Sequence, residues 1–244
     1  MKVVAYTPLH YGLDYGASAI RSVIDCVDEY HVLYTPIGSH GSRTDVSCPE
    51  SREALYEMAH DAATWKLRWH ENIWAYEGAQ RDSILTYAPD ADVILALDAD
   101  EIWADGLAEE AIRGALRLGV ARLRLPMIHF WRSFYRAILH DPAYPERVIV
   151  PSGTGIETLG TDKRIAHMGY AQRSEIVSYK LLTHGHRAQF RRDVDWFRDV
   201  FMANRQTDTH PVGSEYWTPE AVNPLDYLPA WMQAHPYYGL EVIP

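Results

Sequence analysis

Three acids in four positions, Asp98, Asp100 and Glu101, follow the apolar run Val93-Ile94-Leu95-Ala96-Leu97. Carboxylates this close to a buried segment need compensation, because an unpaired buried charge is costly or becomes neutralised. In an extended chain alternate residues point the same way, so Asp98 and Asp100 can converge while Ala99 turns aside. Oxygen donors so arranged suit Mg²⁺ or Mn²⁺, and those ions suit a diphosphate. The same acids would also suit the start of a helix, whose dipole they answer.

Imidazole is a second ligand type for Mn²⁺. Three histidines could fill that role, in His167-Met168-Gly169-Tyr170 and in Thr183-His184-Gly185-His186, and residue type alone leaves the choice open. Upstream, Phe130, Trp131, Phe134 and Tyr135 are interleaved with Arg132 and Arg136. Aromatic rings beside arginines can stack on a base and grip the neighbouring phosphates, which makes Trp131, Arg132 and Tyr135 the expected contacts to such a ligand. Arg187, Arg191, Arg192, Arg198 and Arg205 form a further basic cluster, with Asp193, Asp195 and Asp199 between them. Ion pairs along a solvated helix face account for that cluster as well as ligand binding does.

These residues need a scaffold. Residues 3–6 read as a first strand, closed by Thr7-Pro8, and residues 17–30 as a helix with Ile20, Val23, Ile24 and Val27 on one face. A second strand over 31–35 completes a βαβ opening, for which a parallel sheet is the natural outcome. Residues 39–49 read as a loop, 51–63 and 77–87 as helices, and 92–97 as a central strand buried on both faces. A helix over 107–118, one strand over 122–131 and another over 147–150 follow. Ser174 is the expected N-cap of a helix containing Ile176, Val177 and Leu181. Phe190, Val194, Phe197 and Phe201 have amphipathic helix spacing, and a short helix over 228–234 closes the chain. The expected architecture is α/β, a Rossmann-like, mostly parallel sheet flanked by helices. A domain over 1–205 would carry a C-terminal helical and loop extension, 206–244, packed on it. In such sheets ligands bind outside the carboxyl ends of the strands, where the acids lie.

The stretch Gly78-Ala79-Gln80-Arg81-Asp82, a short helix and then Val93 through Glu101 resemble the "G-x-x-R-N … strand … D-x-D-E" core of family-2-like GT-A glycosyltransferases. The resemblance covers roughly residues 1–190, and Asp82 departs from the family's usual Asn. It implies a sugar-nucleotide donor, with Asp98 near the ribose, Asp100 on the metal that bridges the diphosphate, Arg81 toward the nucleotide or its phosphates, and Thr7 and Pro8 beside the base. "H-x-G-Y" before a helix bearing Lys180 resembles small members in which a His completes the metal site, which implies His167. Inverting members use a carboxylate base; Glu157, in the Gly-rich stretch 152–160, is the candidate, with Asp141 and Glu101 as alternatives. The stretches His167 to Ala171 and His184 to Arg187 resemble phage-type glycosyltransferases, some of which modify hydroxymethylated DNA bases.

Net charge is −10 and pI about 5.6, which opposes indiscriminate binding to nucleic acid or anionic membrane. No apolar run approaches the roughly 18 residues of a membrane span, and Met1 leads straight into strand-like sequence, so the cytoplasm is expected, that of the host for a phage-encoded protein. Cys26 and Cys48 lack metal-ligand spacing and are expected to be unpaired. A nucleotidyltransferase would share the sheet, the metal and the nucleotide, but residues 7–16 lack its basic phosphate loop. A non-catalytic sugar-binding module could use the 8 Trp and 16 Tyr, but has no need of the acidic motif. Polysaccharide and small-molecule acceptors stand beside DNA.

Overall fold

The apolar run before the acids lies at the centre of the sheet. In the computed structural model β1 (Val3–Leu9), β2 (Glu29–Tyr34), β3 (Leu67–Glu71) and β4 (Val93–Ala96) are parallel neighbours in the order β4-β1-β2-β3. Residues 1–38, 44–142, 144–183, 187–213 and 217–244 are described. Every residue of β4 is buried, and alternation splits the strands between two apolar layers. Val3, Ala5, Val93 and Leu95 face one layer, with Ile20 and Val23 of α1 (Gly16–Val23) and Leu55, Ala59 and Ala63 of α2 (Arg52–Ala63). Val4, Tyr6, Ile94 and Ala96 face the other, with Ala79 of α3 (Glu77–Asp82) and Ile84 of α4 (Ile84–Tyr87). The expected α/β class, a mostly parallel sheet with helices on both faces, is what forms.

β5 (Glu101–Trp103) leaves this sheet directly after the acids, and α5 (Leu107–Leu118) returns to pack on it. Gly119, in the left-handed conformation at φ 66°, ends α5 and donates its N–H back to the last turn. β6 (Arg122–Arg124), β7 (Met127–Trp131), β8 (Arg136–Ile138), β9 (Glu146–Ile149), β10 (Ile156–Thr158), β11 (Ile165–Tyr170) and β12 (Glu220–Ala221) complete two sheets. The larger runs β10-β6-β9-β4-β1-β2-β3, with β9 antiparallel to both neighbours. The smaller runs β12-β8-β7-β11-β5. The last α-helix, α6 (Ser174–Thr183), follows β11.

Several expected elements form differently, for local reasons. The helix expected over 17–30 stops at Val23, continues as a 3₁₀ turn at Ile24–Cys26, and gives Glu29 and Tyr30 to β2. The strand expected over 122–131 is two strands in different sheets, broken at Pro126, which has no N–H for a ladder. Residues 77–87 break at Ser83 into two short helices. The stripe from Phe190 to Phe201 has only a π-helical segment, Phe197–Met202, and the closing helix is a 3₁₀ turn, Ala230–Ala234. β3, β5, β8, β10, β11 and β12 were not anticipated. Ser51, by contrast, caps α2 by accepting the Ala54 N–H at 3.2 Å.

Candidate active site

The chain from Leu97 to Asp100 crosses from the end of β4 to β5, and that crossing hangs the acids between the sheets. β11 lies between β5 and β7, with His167 opposite Glu101 on one side and His129 on the other. A cavity of about 400 Å³ opens there. Pro8 and Tyr11 from the end of β1 and the loop after it, Arg81 of α3, Asp98 and Asp100, His167 of β11 and Lys180 of α6 are among its lining residues.

Asp98 is held by two arginines. Arg81 Nη2 donates to Oδ1 at 2.6 Å and Arg147 Nη2 to Oδ2 at 2.8 Å. Arg147 Nε also donates to Glu101 Oε2 at 2.7 Å, so Glu101, only 1% exposed, is neutralised inside the protein. Burial alone would raise the Asp98 pKa, but the Arg81 and Arg147 charges outweigh it and hold the carboxyl ionised. Arg81 Nε is taken by Glu77 Oε1 at 2.7 Å, while its buried Nη1 has no partner among the described residues. A buried donor left so is costly unless a ligand oxygen receives it.

Asp100 has different company. Its Oδ2 accepts from Lys180 Nζ at 3.2 Å and Gln172 Nε2 at 3.1 Å, and His167 Nε2 lies 3.5 Å away. Against the cost of burial, Lys180 and then His167 hold the Asp100 carboxyl well below the usual range. Burial works against the Lys180 charge, and Asp100 keeps it on, raising its pKa. Gly169 is required beside them: a Cβ there would stand 2.4 Å from His167 Cε1 and 2.6 Å from Lys180 Nζ.

No three His, Cys, Asp or Glu side chains among the described residues are placed to hold a metal unaided. Asp100 and His167 nonetheless fit an ion of the Mg²⁺ or Mn²⁺ kind, which takes one or two protein ligands and completes its shell with substrate phosphates and water. His184 and His186, the competing ligands, lie outside the described residues.

A second cavity, about 810 Å³, shares Asp98 and His167 with the first and is also bordered by Met127, His129, Asp141 and Tyr144. Its two histidines are linked: His129 Nδ1 and His167 Nδ1 are 2.8 Å apart, and Asp141 Oδ2 is 2.9 Å from His129 Nε2. Burial lowers the His129 pKa to about 4 despite Asp141, so the ring is neutral at pH 7.

The expected residues divide. Pro8, Arg81, Asp98, Asp100 and His167 line the first cavity together. Thr7 does not: it is buried and its hydroxyl shares a 2.6 Å hydrogen bond with Tyr30, facing into the sheet. Glu157 lies exposed on β10, outside both cavities, so it is not placed to take an acceptor's proton. Trp131 is wholly buried against Tyr170, Trp196 and Phe201 and cannot meet an acceptor. Arg132 is buried in a left-handed turn at φ 52°, donating to the carbonyls of Phe201, Met202 and Ile243, which makes it a structural pin. Tyr135 is exposed but borders neither cavity. Arg191 pairs with Asp193 and Asp208, and Arg198 with Asp195 and Asp199, as a solvated, self-neutralised surface would.

Arg147, Gln172, His129 and Trp217 were not expected at the site, and Lys180 had no assigned role. Only the pairing of β9 with β4 puts Arg147 beside Asp98, and no spacing in the chain signals it. His129 could have been suspected from Met127-Ile128-His129, a lone imidazole in an apolar strand.

No family profile matches this sequence, and neither does any curated protein. Among solved structures, S. aureus TarS 1–349 is similar over 78% of this chain and 69% of its own, at 14% identity and a TM-score of 0.46. Glucosyl-3-phosphoglycerate synthase from Mycobacterium tuberculosis, crystallised with Mn²⁺, UDP and phosphoglyceric acid, matches 54% of this chain at 18% identity and a TM-score of 0.37. This chain spans 43% of that enzyme's length. CMP:2-keto-3-deoxy-manno-octonic acid synthetase in complex with CTP matches 69% of this chain and 92% of its own, at 12% identity and a TM-score of 0.40.

Proposed function

We propose that this chain is a GT-A-type glycosyltransferase that moves a sugar from a nucleoside-diphosphate sugar to an acceptor hydroxyl, using Mn²⁺ or Mg²⁺ held by Asp100 and His167. The observation that carries this reading is the convergence of Asp98, Asp100, His167 and Lys180 on one cavity at the carboxyl end of β4. When bound, the ion supplies Lewis-acid neutralisation of charge on the departing diphosphate. Lys180 adds a fixed ammonium on the same side. Arg81 offers its unpaired Nη1 to the donor. Asp98, clamped on both oxygens, keeps lone pairs for a ribose hydroxyl. Pro8 and Tyr11 flank the donor's base. The second cavity, reaching Asp98 and His167 from the other side, receives the acceptor.

A 5-hydroxymethyl-pyrimidine in DNA is one candidate acceptor. The residues expected to grip it are spent elsewhere: Trp131 and Arg132 in the core, Arg191 and Arg198 in ion pairs. With a net charge of −10, a saccharide or small-molecule hydroxyl is the favoured acceptor. No helix among the described residues is long and apolar enough to cross a membrane.

The test is Mn²⁺-dependent release of nucleoside diphosphate from a panel of sugar nucleotides. The Asp100→Ala variant is expected to lose both turnover and metal dependence. A folded Asp100→Ala protein within a few-fold of wild type sinks the reading, and release of pyrophosphate from a nucleoside triphosphate points to a nucleotidyltransferase. Hydroxymethylated DNA and saccharide acceptors are then compared by product mass, with a steep fall in activity as salt rises expected only for DNA.

A further inference from the structure

We infer that Glu50 is a positioning residue for the nucleotide side of the site: its buried carboxylate seats the loop after β1 against the segment Asp98–Asp100 and ties that loop to the turn after β11. The consequence for donor binding rests on the glycosyltransferase reading above, whereas the seat itself does not. Glu50 is carried at the start of α2, next to its cap Ser51, and its side chain is 1% exposed. Its Oε2 accepts the N–H groups of Gly12 at 2.6 Å and Leu13 at 2.9 Å, and its Oε1 accepts from Arg173 Nη2 at 2.8 Å. Arg173 also donates Nε to Asp14 Oδ1 at 2.7 Å and its backbone N–H to Asp14 Oδ2 at 3.0 Å.

Two separate stretches of backbone are thus fastened to one helix end. A buried carboxylate is a costly way to fill space, and apolar side chains of similar volume often stabilise as well. What the carboxylate adds is direction, because three donors from two segments must point at its two oxygens.

What is held lies against the acids. Gly12 packs so closely that a Cβ on it would stand 2.5 Å from the Ala99 Cβ, and Ala99 separates Asp98 from Asp100. Tyr11 and Gly12 both line the first cavity, as does Gln172, which precedes Arg173 and donates Nε2 to Asp100 Oδ2 at 3.1 Å. Glu50 lines neither cavity and acts only through what it holds. Asp14 retains Arg173, and with it Gln172, when Glu50 is changed, so the Gly12–Leu13 loop alone is released. A shift of about 1 Å in a substrate-positioning group can cost roughly 100-fold in rate, and this loop borders the donor rather than the acceptor.

With the sugar nucleotide that turns over in the panel above, Glu50→Ala is expected to raise the donor KM about 10-fold or more, with kcat at saturating donor and the acceptor KM within a few-fold of wild type. Glu50→Gln keeps one oxygen for the two N–H groups and turns its amide toward the partly exposed Arg173, so its donor KM is expected to stay within a few-fold. A role in folding alone would lower the melting temperature and leave the donor KM unmoved. A wild-type donor KM in folded Glu50→Ala therefore overturns the proposal, as does a Glu50→Gln value as high as that of Glu50→Ala. Amide hydrogen exchange of the wild type needs no variant. Gly12 and Leu13 lie in no helix or strand, yet their amides are expected to exchange as slowly as those of β1. Exchange at the rate of an open loop overturns the seat even where Glu50→Ala fails to fold. Slow exchange with no turnover of any sugar nucleotide upholds the seat and sinks the glycosyltransferase reading instead.

Discussion

At the scale of single residues, the site separates two arginines of similar appearance by what each leaves unpaired. Arg147 spends its guanidinium on Asp98 and Glu101 and lines only the second cavity. Arg81 pairs with Asp98 and Glu77 but keeps a buried N–H free of any described partner beside the first cavity. Arg147→Ala is therefore expected to destabilise the fold by about 3–5 kcal/mol, because it strands the buried Glu101 charge. Arg81→Ala is expected to cost donor affinity instead, about 1.5–3 kcal/mol for a lost charge-assisted contact. Urea unfolding and donor titration on both variants separate the two; equal effects on stability with unchanged donor affinity would leave Arg81 purely structural.

At the scale of elements, β11 is the hinge of the site, since one strand supplies His167 and passes Gly169 beneath Lys180. Gly169→Ala is expected to keep the melting temperature within a few degrees, because the atoms it crowds are the far ends of side chains, and yet to abolish turnover by displacing His167 and Lys180. Wild-type turnover in Gly169→Ala would show that these groups are not needed where they stand. The β2–β3 edge carries a pH response of its own. His31 is buried, bonded to His70 Nε2 at 3.0 Å, and burial lowers its pKa to about 4 from an ordinary 6.5. The unfolded chain thus binds the extra proton first as pH falls. The stabilisation from neutral His31 is complete above pH 6.5 and is lost progressively down to about pH 4. Melting temperatures from pH 7 to pH 4.5 should fall less steeply for His31→Asn than for wild type; parallel slopes would contradict this account.

At the scale of the molecule, residues 206–244 are tied into the body at several points. His235 Nε2 and the Tyr237 hydroxyl reach Asp14 at 2.9 and 3.0 Å, and Ile243 N–H donates to Arg132 at 2.7 Å. Leu228, Met232 and Ile243 share an apolar cluster with Tyr15, Ile128, Phe130 and Phe134, and Trp217 borders the first cavity. A chain ended after Arg205 would expose that cluster and is expected to lose cooperative unfolding and to bind a hydrophobic dye. A sharp melt with wild-type near-ultraviolet dichroism would make the extension dispensable.

The sequence alone determined the elements whose causes are local. The buried run of β4, the capped α2, the glycine-ended α5 and the acids at a strand's carboxyl end all follow from periodicity, caps and burial costs within short windows. Asp98 and Asp100 stood out because their residue types and spacing carry chemistry before any fold is known, whereas Arg81 and His167 were singled out only by the resemblance to GT-A glycosyltransferases. Only the tertiary structure decided which charges would meet. Arg147 reaches Asp98 through an antiparallel pairing across 49 positions, and His129 reaches His167 across 38. It also decided that Trp131 and Arg132, so apt for a ligand by type, are consumed by the core and by the carbonyls of Phe201, Met202 and Ile243. The physical reason is that a side chain's type fixes what it can do, whereas its partners and its exposure are set by strand pairings between distant parts of the chain.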